Sequence, residues 1–129
     1  MAVEYAVRAR LAAVAGVTNI VGTRIYPNLL PQDVTLEAIT YRRVSGPHVS
    51  AFGTDAGLSN PRFQVDVWAD LYTEAVALAA AVQTALVRFR GTIASETIQD
   101  VLLLNELDIY EQERRIHRVM MDFEVWHTE

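Results

Sequence analysis

The strongest pattern of hydrophobic and polar positions lies in residues 61–88. Hydrophobic residues alternate with polar ones through 62–68, which is typical of a strand with one solvent-facing side. A helix is predicted directly afterwards, with Asp70 as its N-cap and Gly91 as its C-terminal stop. Because this strand and helix adjoin in sequence, we expect them to pack together at the centre of the core. The hydrophobic face of the helix should consist of Ala75, Leu78, Ala79, Val82, Leu86 and Phe89.

Three more strands and one more helix follow from the same two periodicities. Residues 3–15 repeat hydrophobic positions at helical spacing and should form an amphipathic helix that ends at Gly16. Residues 36–44 and 115–126 alternate in the manner of strands, and residues 97–110 do so after an apolar centre. The chain is therefore expected to be a single small α+β domain. A mostly antiparallel sheet of about four strands should pack with two main helices.

Two connecting segments lack a regular pattern. Residues 23–35 contain Pro27 and Pro31, so we expect them to be extended and irregular. Residues 45–60, between the first two strands, exceed the about two to five residues that a hairpin needs. This second segment is either a mobile hairpin tip or a long flexible arm that becomes ordered against a partner. Candidate contacts in the arm are His48, Val49, Phe52, Asp55 and Leu58.

Two further features mark candidate contact surfaces. The outer side of the central helix carries the small residues Ala77, Ala80 and Ala81, which would allow another chain to approach closely. Alanine is also the best helix former, so helix propensity explains these residues nearly as well. Trp68 and Trp126 fall on the side of their strands opposite the main hydrophobic stripe. They are expected either to meet a partner or to be covered by a loop of the same chain.

The charge and cysteine content exclude several classes of function. The 129 residues have a formal net charge of −5 and no lysine, which argues against a large nucleic-acid-binding face. The absence of cysteine excludes disulfides and zinc–thiolate sites and fits a reducing compartment. No hydrophobic run reaches the length of a membrane span. Residues 8–17 resemble a signal peptide only faintly, and their helical periodicity favours a structural role in a cytoplasmic protein.

No motif for catalysis, cofactor binding or metal binding is present. His48, His117 and His127 lack the spacing of metal ligands, and His117 is expected to be a hydrogen-bonded residue of the core. Asp122 and Glu124 share the polar face of the last strand and could form an acid–base pair, although solvated carboxylates explain them better. Neither a glycine-rich phosphate loop nor a serine nucleophile motif occurs. We therefore predict no catalytic, cofactor-binding or metal-binding residue.

Several short sequences occur in an order that resembles the tail-completion, or tail-terminator, family of long-tailed bacteriophages, prophages and gene transfer agents. The resemblance spans nearly the whole chain, and its weight comes from the shared order of the motifs. One departure is that Glu37 and Ala38 stand where the family pattern has a proline before the first strand. The motifs are RIYP at 24–27, LPQ at 30–32, AITY at 38–41, RFQVDVWA at 62–69, YTEA at 72–75 and MDFEVW at 121–126.

The resemblance implies a structural protein that assembles into a ring, typically a hexamer, and caps the tail tube. Such a cap stops tube polymerisation and provides the docking surface for the head connector. The implied partners are the tail-tube protein and the connector or stopper protein, with no cofactor and no membrane. Assembly would take place in the host cytoplasm, and the mature protein would lie at the head-proximal end of the virion tail.

DNA would pass through the lumen of such a ring without specific binding, which suits an acidic protein. Two alternative functions remain open. The first is a head–tail joining protein, or another minor tail or neck protein, of similar fold. The second is a small-ligand-binding or enzymatic α+β domain that uses the sheet face around Asp122 and Glu124.

Overall fold

The computed structural model describes residues 3–45, 48–51 and 54–128 of the chain. Within these residues, three helices accompany one sheet of eight strands. This arrangement fits the predicted α+β class, and a short third helix joins the two that were predicted. The helices are α1 (Val3–Ala13), α2 (Ala15–Val21) and α3 (Tyr72–Leu86). The strands are β1 (Ile25–Pro27), β2 (Ala38–Ser45), β3 (His48–Ala51), β4 (Thr54–Ser59), β5 (Arg62–Ala69), β6 (Gly91–Ile93), β7 (Glu96–Glu111) and β8 (Ile116–Thr128).

Strand β8 lies at the centre of the sheet and is paired along both of its edges. β5 pairs antiparallel with one edge, and β7 pairs antiparallel with the other. β2 follows on the far side of β5, and β1 runs parallel to β2 at the margin of the sheet. The sheet is therefore mixed. The prediction of a mostly antiparallel sheet with about four strands is wrong in its detail, because it missed the parallel pair of β1 and β2 and several short strands.

β1 and β6 are two of the strands that were missed. Each has only three residues, too few to show the alternation by which a strand is recognised in a sequence. β1 ends at Pro27, inside the segment that was expected to be irregular. β6 forms a tight hairpin with β7 through Ala94 and Ser95, whose φ angles of 49° and 64° are rare for these residue types. Both strands are defined by their partners rather than by a pattern of their own.

The core lies between the helices and one face of the sheet, where hydrophobic side chains form a single cluster. Phe63, Val65 and Val67 of β5 are fully buried there, as their alternation predicted. Phe123 of β8 lies directly opposite Phe63 and is equally buried. The predicted packing of this strand against the following helix is confirmed. The helices contribute Val3, Val7, Leu11, Val17, Val21, Ala75, Leu78, Val82 and Leu86 to the cluster.

The predicted end of the first helix is wrong. α1 ends at Ala13, and Gly16 lies inside α2 rather than terminating α1. α2 ends instead at Gly22, whose φ of 60° suits a residue without a Cβ atom. The amide of Gly22 donates to the carbonyl oxygen of Thr18 at 2.8 Å and so closes the last turn.

Both predicted caps of α3 are also wrong. Leu71 rather than Asp70 is the N-cap, and the side chain of Leu71 makes no hydrogen bond to the first turn. The helix ends at Leu86, and Gly91 begins β6 instead of stopping α3. Gly91 adopts a φ of 147° and pairs with Ile98, so its conformational freedom serves the β6–β7 hairpin.

The strands β3 and β4 form a two-stranded ribbon that continues the β2–β5 pair into the predicted arm. The pairing of Ser45 with Arg62 is followed by that of His48 with Ser59. The base of β4 also pairs with the end of β8. Ordering of the arm against a partner stays a prediction. Among the candidate contacts in the arm, Phe52 lies outside the described residues. The side chains of the four other candidates are also outside the description: His48, Val49, Asp55 and Leu58.

Candidate assembly surfaces

The face of the sheet opposite the helices carries a connected polar network. Asp66 of β5 is only 4% exposed, and its Oδ2 accepts hydrogen bonds from Nε and Nη2 of Arg118 at 3.1 and 2.6 Å. Gln64 Nε2 donates to both carboxylate oxygens of Asp66, at 3.2 and 3.0 Å. Arg118 Nη1 donates to Oε1 of Glu111 at 3.1 Å. One arginine on β8 therefore ties β5 and β7 together through charge-assisted hydrogen bonds.

The same arginine covers Trp68. Its guanidinium carbon lies 4.8 Å from the centre of the indole ring, and the tryptophan is 8% exposed. The indole Nε1 donates to Oγ1 of Thr40 on β2 at 3.0 Å. Trp68 is thus largely buried within the subunit, with the guanidinium of Arg118 over its ring and Leu29 across the cleft beside it. Trp126 is half-buried, and its Nε1 donates to Oε1 of Glu124 at 2.7 Å.

A shallow cleft of about 280 Å³ opens on this polar face, between Trp68, Arg118 and Leu29. Asp122 and Glu124, the candidate acid–base pair, do not line it. Within the described residues, no group of three His, Cys, Asp or Glu side chains is placed to hold a metal ion. The geometry therefore gives no support to an active site built on these two carboxylates.

The outer face of α3 is the most unusual surface of the subunit. Glu74 is the one charged residue among the fifteen of this helix. Ala77 and Ala80 are exposed, as predicted, and Ala81 is partly buried. The exposed side chains of Tyr72 (51%) and Val76 (43%) continue the same apolar stripe. This face exposes apolar and small side chains with only Thr73 and Thr84 as polar residues among them, so it is a candidate contact surface.

An aromatic cluster joins the start of α3 to the end of β7. His117 packs between Tyr72 and Tyr110, with ring centroids 5.8 and 4.9 Å apart. The hydroxyl of Tyr72 donates to Oδ2 of Asp108 at 3.0 Å, and this hydrogen bond raises the pKa of Tyr72 above its ordinary value. His117 was expected inside the core, but it is half-buried at the core's margin.

Comparison with known proteins bears on the role of these surfaces. The family model of the tail completion protein gp17 matches residues 5–128. The chain belongs to this family. It is therefore a structural protein of phage tails, and the resemblance seen in its short motifs is confirmed. No curated protein sequence matches the chain.

A solved structure shares the fold of this tail completion protein. A chain from the virion of a native gene transfer agent (GTA) particle superimposes on it with a TM-score of 0.81 and 20% sequence identity. The match covers 95% of this chain and 92% of the other. The helices and the mixed sheet are thus common to both chains over nearly their full lengths. Among the described residues of the tail completion protein, no helix has the length and apolarity to span a membrane.

Part of the α3 surface was not predicted from the sequence. The predicted contacts Ala77, Ala80 and Ala81 omit Tyr72 and Val76, which are larger and also exposed. The signal that would have found them is the near absence of charge along the helix. Hydrophobic spacing identifies the core face of α3, but it does not indicate that apolar residues also occupy the outer face.

Replacing Arg118 with alanine should destabilise the subunit strongly. Asp66 would stay buried without its cation, which lowers the free energy of unfolding by about 3 kcal/mol. The matched control is Arg88→Ala, which removes a surface ion pair with Asp100 (2.7 Å) and should cost less than about 1 kcal/mol. Chemical denaturation measures both values. Equal losses would show that the Arg118–Asp66 pair is no more important than a surface pair.

Proposed function

We propose that this protein forms a hexameric ring at the head-proximal end of the tail tube. There it terminates tube polymerisation and provides the surface on which the head connector docks. The observation that carries the proposal is the match of the tail completion family over residues 5–128. The role is structural rather than enzymatic, with assembly in the host cytoplasm and no cofactor.

The surfaces of the subunit support assembly into a ring. A head-to-tail contact between identical subunits needs two different, complementary surfaces and closes when the rotation permits. The uncharged outer face of α3 is one such surface, since Ala77 and Ala80 leave room for another backbone. The ribbon of β3 and β4 is a second element that can reach a neighbour or the tube protein. The half-buried Trp126 is a further candidate contact, whereas Trp68 acts mainly within its own subunit.

The charge of the protein also suits the proposed position. The ring must let DNA pass between head and tail without holding it. A formal net charge of −5 per subunit repels phosphate groups, which supports a lumen that passes DNA without specific binding.

Deletion of the gene tests the proposed role directly. Without a terminator, tube polymerisation has no stop, and electron microscopy should reveal tails that exceed the normal length. Tails of normal length that fail to join heads would instead assign the protein to head–tail joining. Normal, joined tails would contradict both functions.

The variant Ala80→Arg should fold normally but fail to assemble. An arginine on this exposed position costs the subunit less than about 0.5 kcal/mol, which denaturation measures. In an assembled contact the charge would be buried unpaired at a cost of about 3 kcal/mol or more, which weakens association more than about a hundredfold. The matched control is Ala12→Arg on the exposed side of α1. Equal tail yields for the two variants would exclude the α3 face as a contact.

Deletion of residues 49–58 should leave the subunit folded and abolish tail assembly. The deletion removes most of the β3–β4 ribbon but keeps the pairing of Ser59 with His127 at its base. Circular dichroism and denaturation report the fold, and complementation of the gene deletion reports assembly. Normal tails from the shortened chain would show that the arm is an ordinary hairpin that assembly does not need.

A further inference from the structure

Strands β2, β5, β8 and β7 lie side by side, and each outer strand of this group has a stretch without a described strand on its outer side. At one margin, β6 pairs with β7 only through residues 96–98, and the amide of Arg88 donates to the carbonyl oxygen of Val101 at 2.8 Å. On the side away from β8, no described strand pairs with residues 102–111, which we call the β7 edge. At the other margin, β1 pairs with β2 only at Ile39–Tyr41. Residues 42–45 have no described partner on that side, and we call them the β2 edge.

The β7 edge is long and apolar for a strand margin in contact with water. Leu104, Leu107 and Tyr110 are between 40% and 48% exposed on it. An open strand of this kind presents a row of backbone donors and acceptors to any other chain that can add a strand. Proteins usually shorten or cover such edges, so the β7 edge is expected to have a partner in the assembled state.

The charges of the two edges are opposite in sign. The β7 edge carries Glu106 and Asp108, together with Glu111, which already binds Arg118, and it carries no cation. On the β2 edge, the exposed Arg42 donates to the neutral Gln64, and the exposed Arg43 already pairs with Glu4 of α1 at 2.7 Å. The excess charge is therefore negative on the β7 edge and positive on the β2 edge. Acidic residues directly opposite one another would destabilise a contact between two β7 edges. The combination of a β7 edge with a β2 edge places opposite charges together instead.

The strand directions also permit this combination. From β2 through β5 and β8 to β7, each neighbouring pair is antiparallel, so β7 runs opposite to β2. Rotation about a ring axis preserves the direction of each strand along that axis. The β7 edge of one subunit therefore meets the β2 edge of the next in antiparallel orientation, whatever the number of subunits.

The surface beside the β2 edge has space for an incoming strand. A groove of about 410 Å³ lies there, lined in part by Tyr5, Asn28 and Arg42. The exposed ring of Tyr5 gives this groove an apolar wall on the helix side of the sheet, which is also the side on which Tyr110 of an incoming β7 edge lies. The two edges are thus complementary in charge, in direction and in apolar surface.

We propose that the β7 edge of one subunit pairs antiparallel with the β2 edge of a second copy of this chain. The sheets of neighbouring subunits then form one continuous wall around the lumen. The helices of all subunits lie on the same face of this wall, the face on which each subunit has its core. The pairing rests on the proposed ring and specifies which strands join its subunits.

Site-directed cross-linking tests this pairing, because the chain contains no cysteine of its own. Leu107→Cys marks the β7 edge and Val44→Cys marks the β2 edge, and both positions are exposed and uncharged. Tails are assembled in cells that produce one variant, the other, or both, and are treated with a short bis-maleimide linker. The unmodified chain and Ala12→Cys with Val44→Cys serve as controls.

The expected result is a cross-linked dimer only when Leu107→Cys and Val44→Cys are present together. The double variant in one chain should give a ladder of covalent oligomers that ends at the size of the ring. Dimers from Leu107→Cys alone would overturn the proposal, because they require two β7 edges to meet.

Joined tails of normal length without the mixed cross-link would overturn the edge pairing and leave the proposed function intact. Absence of the chain from purified tails would overturn both. A second measurement reverses the charges on the helix face of the two edges. Glu106→Arg with Asp108→Arg should reduce tail yield, and added Arg43→Glu with Glu4→Arg, which keeps the ion pair between β2 and α1, should restore it. Failure of this restoration, with all variants folded, would also contradict the pairing.

Discussion

The pairing of β8 along both of its edges is the constraint on which the rest of the structure depends. Its odd-numbered residues, including Phe123, close the core against the helices, while Arg118 on the opposite face holds β5 and β7 together. A slip of one residue in this strand would exchange the two faces, burying charges and exposing the core. The buried pair of Asp66 and Arg118 favours the observed register, because a one-residue slip of β5 against β8 would place the two side chains on opposite faces of the sheet.

Physical periodicity explains which parts of the fold could be predicted from the sequence. Long strands and helices repeat their burial every second or every third to fourth residue, so β5, β7, β8, α1 and α3 were recognised. β1 and β6 are too short to show a hydrophobic period, and they are strands because β2 and β7 pair with them. Asp70 and Gly91 have the chemistry of caps, yet the helix ends at other residues because tertiary packing and the β6–β7 hairpin decide its limits.

The candidate contact surface could be predicted in part. Ala77 and Ala80 were correctly placed on the outside of α3, since the core face of a helix follows from its hydrophobic spacing. Trp68 could not be assigned, because Arg118, which lies over its ring, is fifty residues away in the sequence but adjacent in the sheet. An exposed sheet edge could be expected but not located, since a free edge depends on strand order, and strand order does not follow from any local pattern.

A subunit with these features can remain separate until it assembles. Unpaired strand edges promote uncontrolled association, but acidic residues such as Glu106 and Asp108 make contact between two β7 edges unfavourable. The proposed contact between an acidic edge and a basic one joins different surfaces and would therefore propagate in one rotational direction. In the proposed ring, propagation would end when the last β7 edge reaches the first β2 edge. Closure would then pair every edge of this kind, so the ring would stop its own growth.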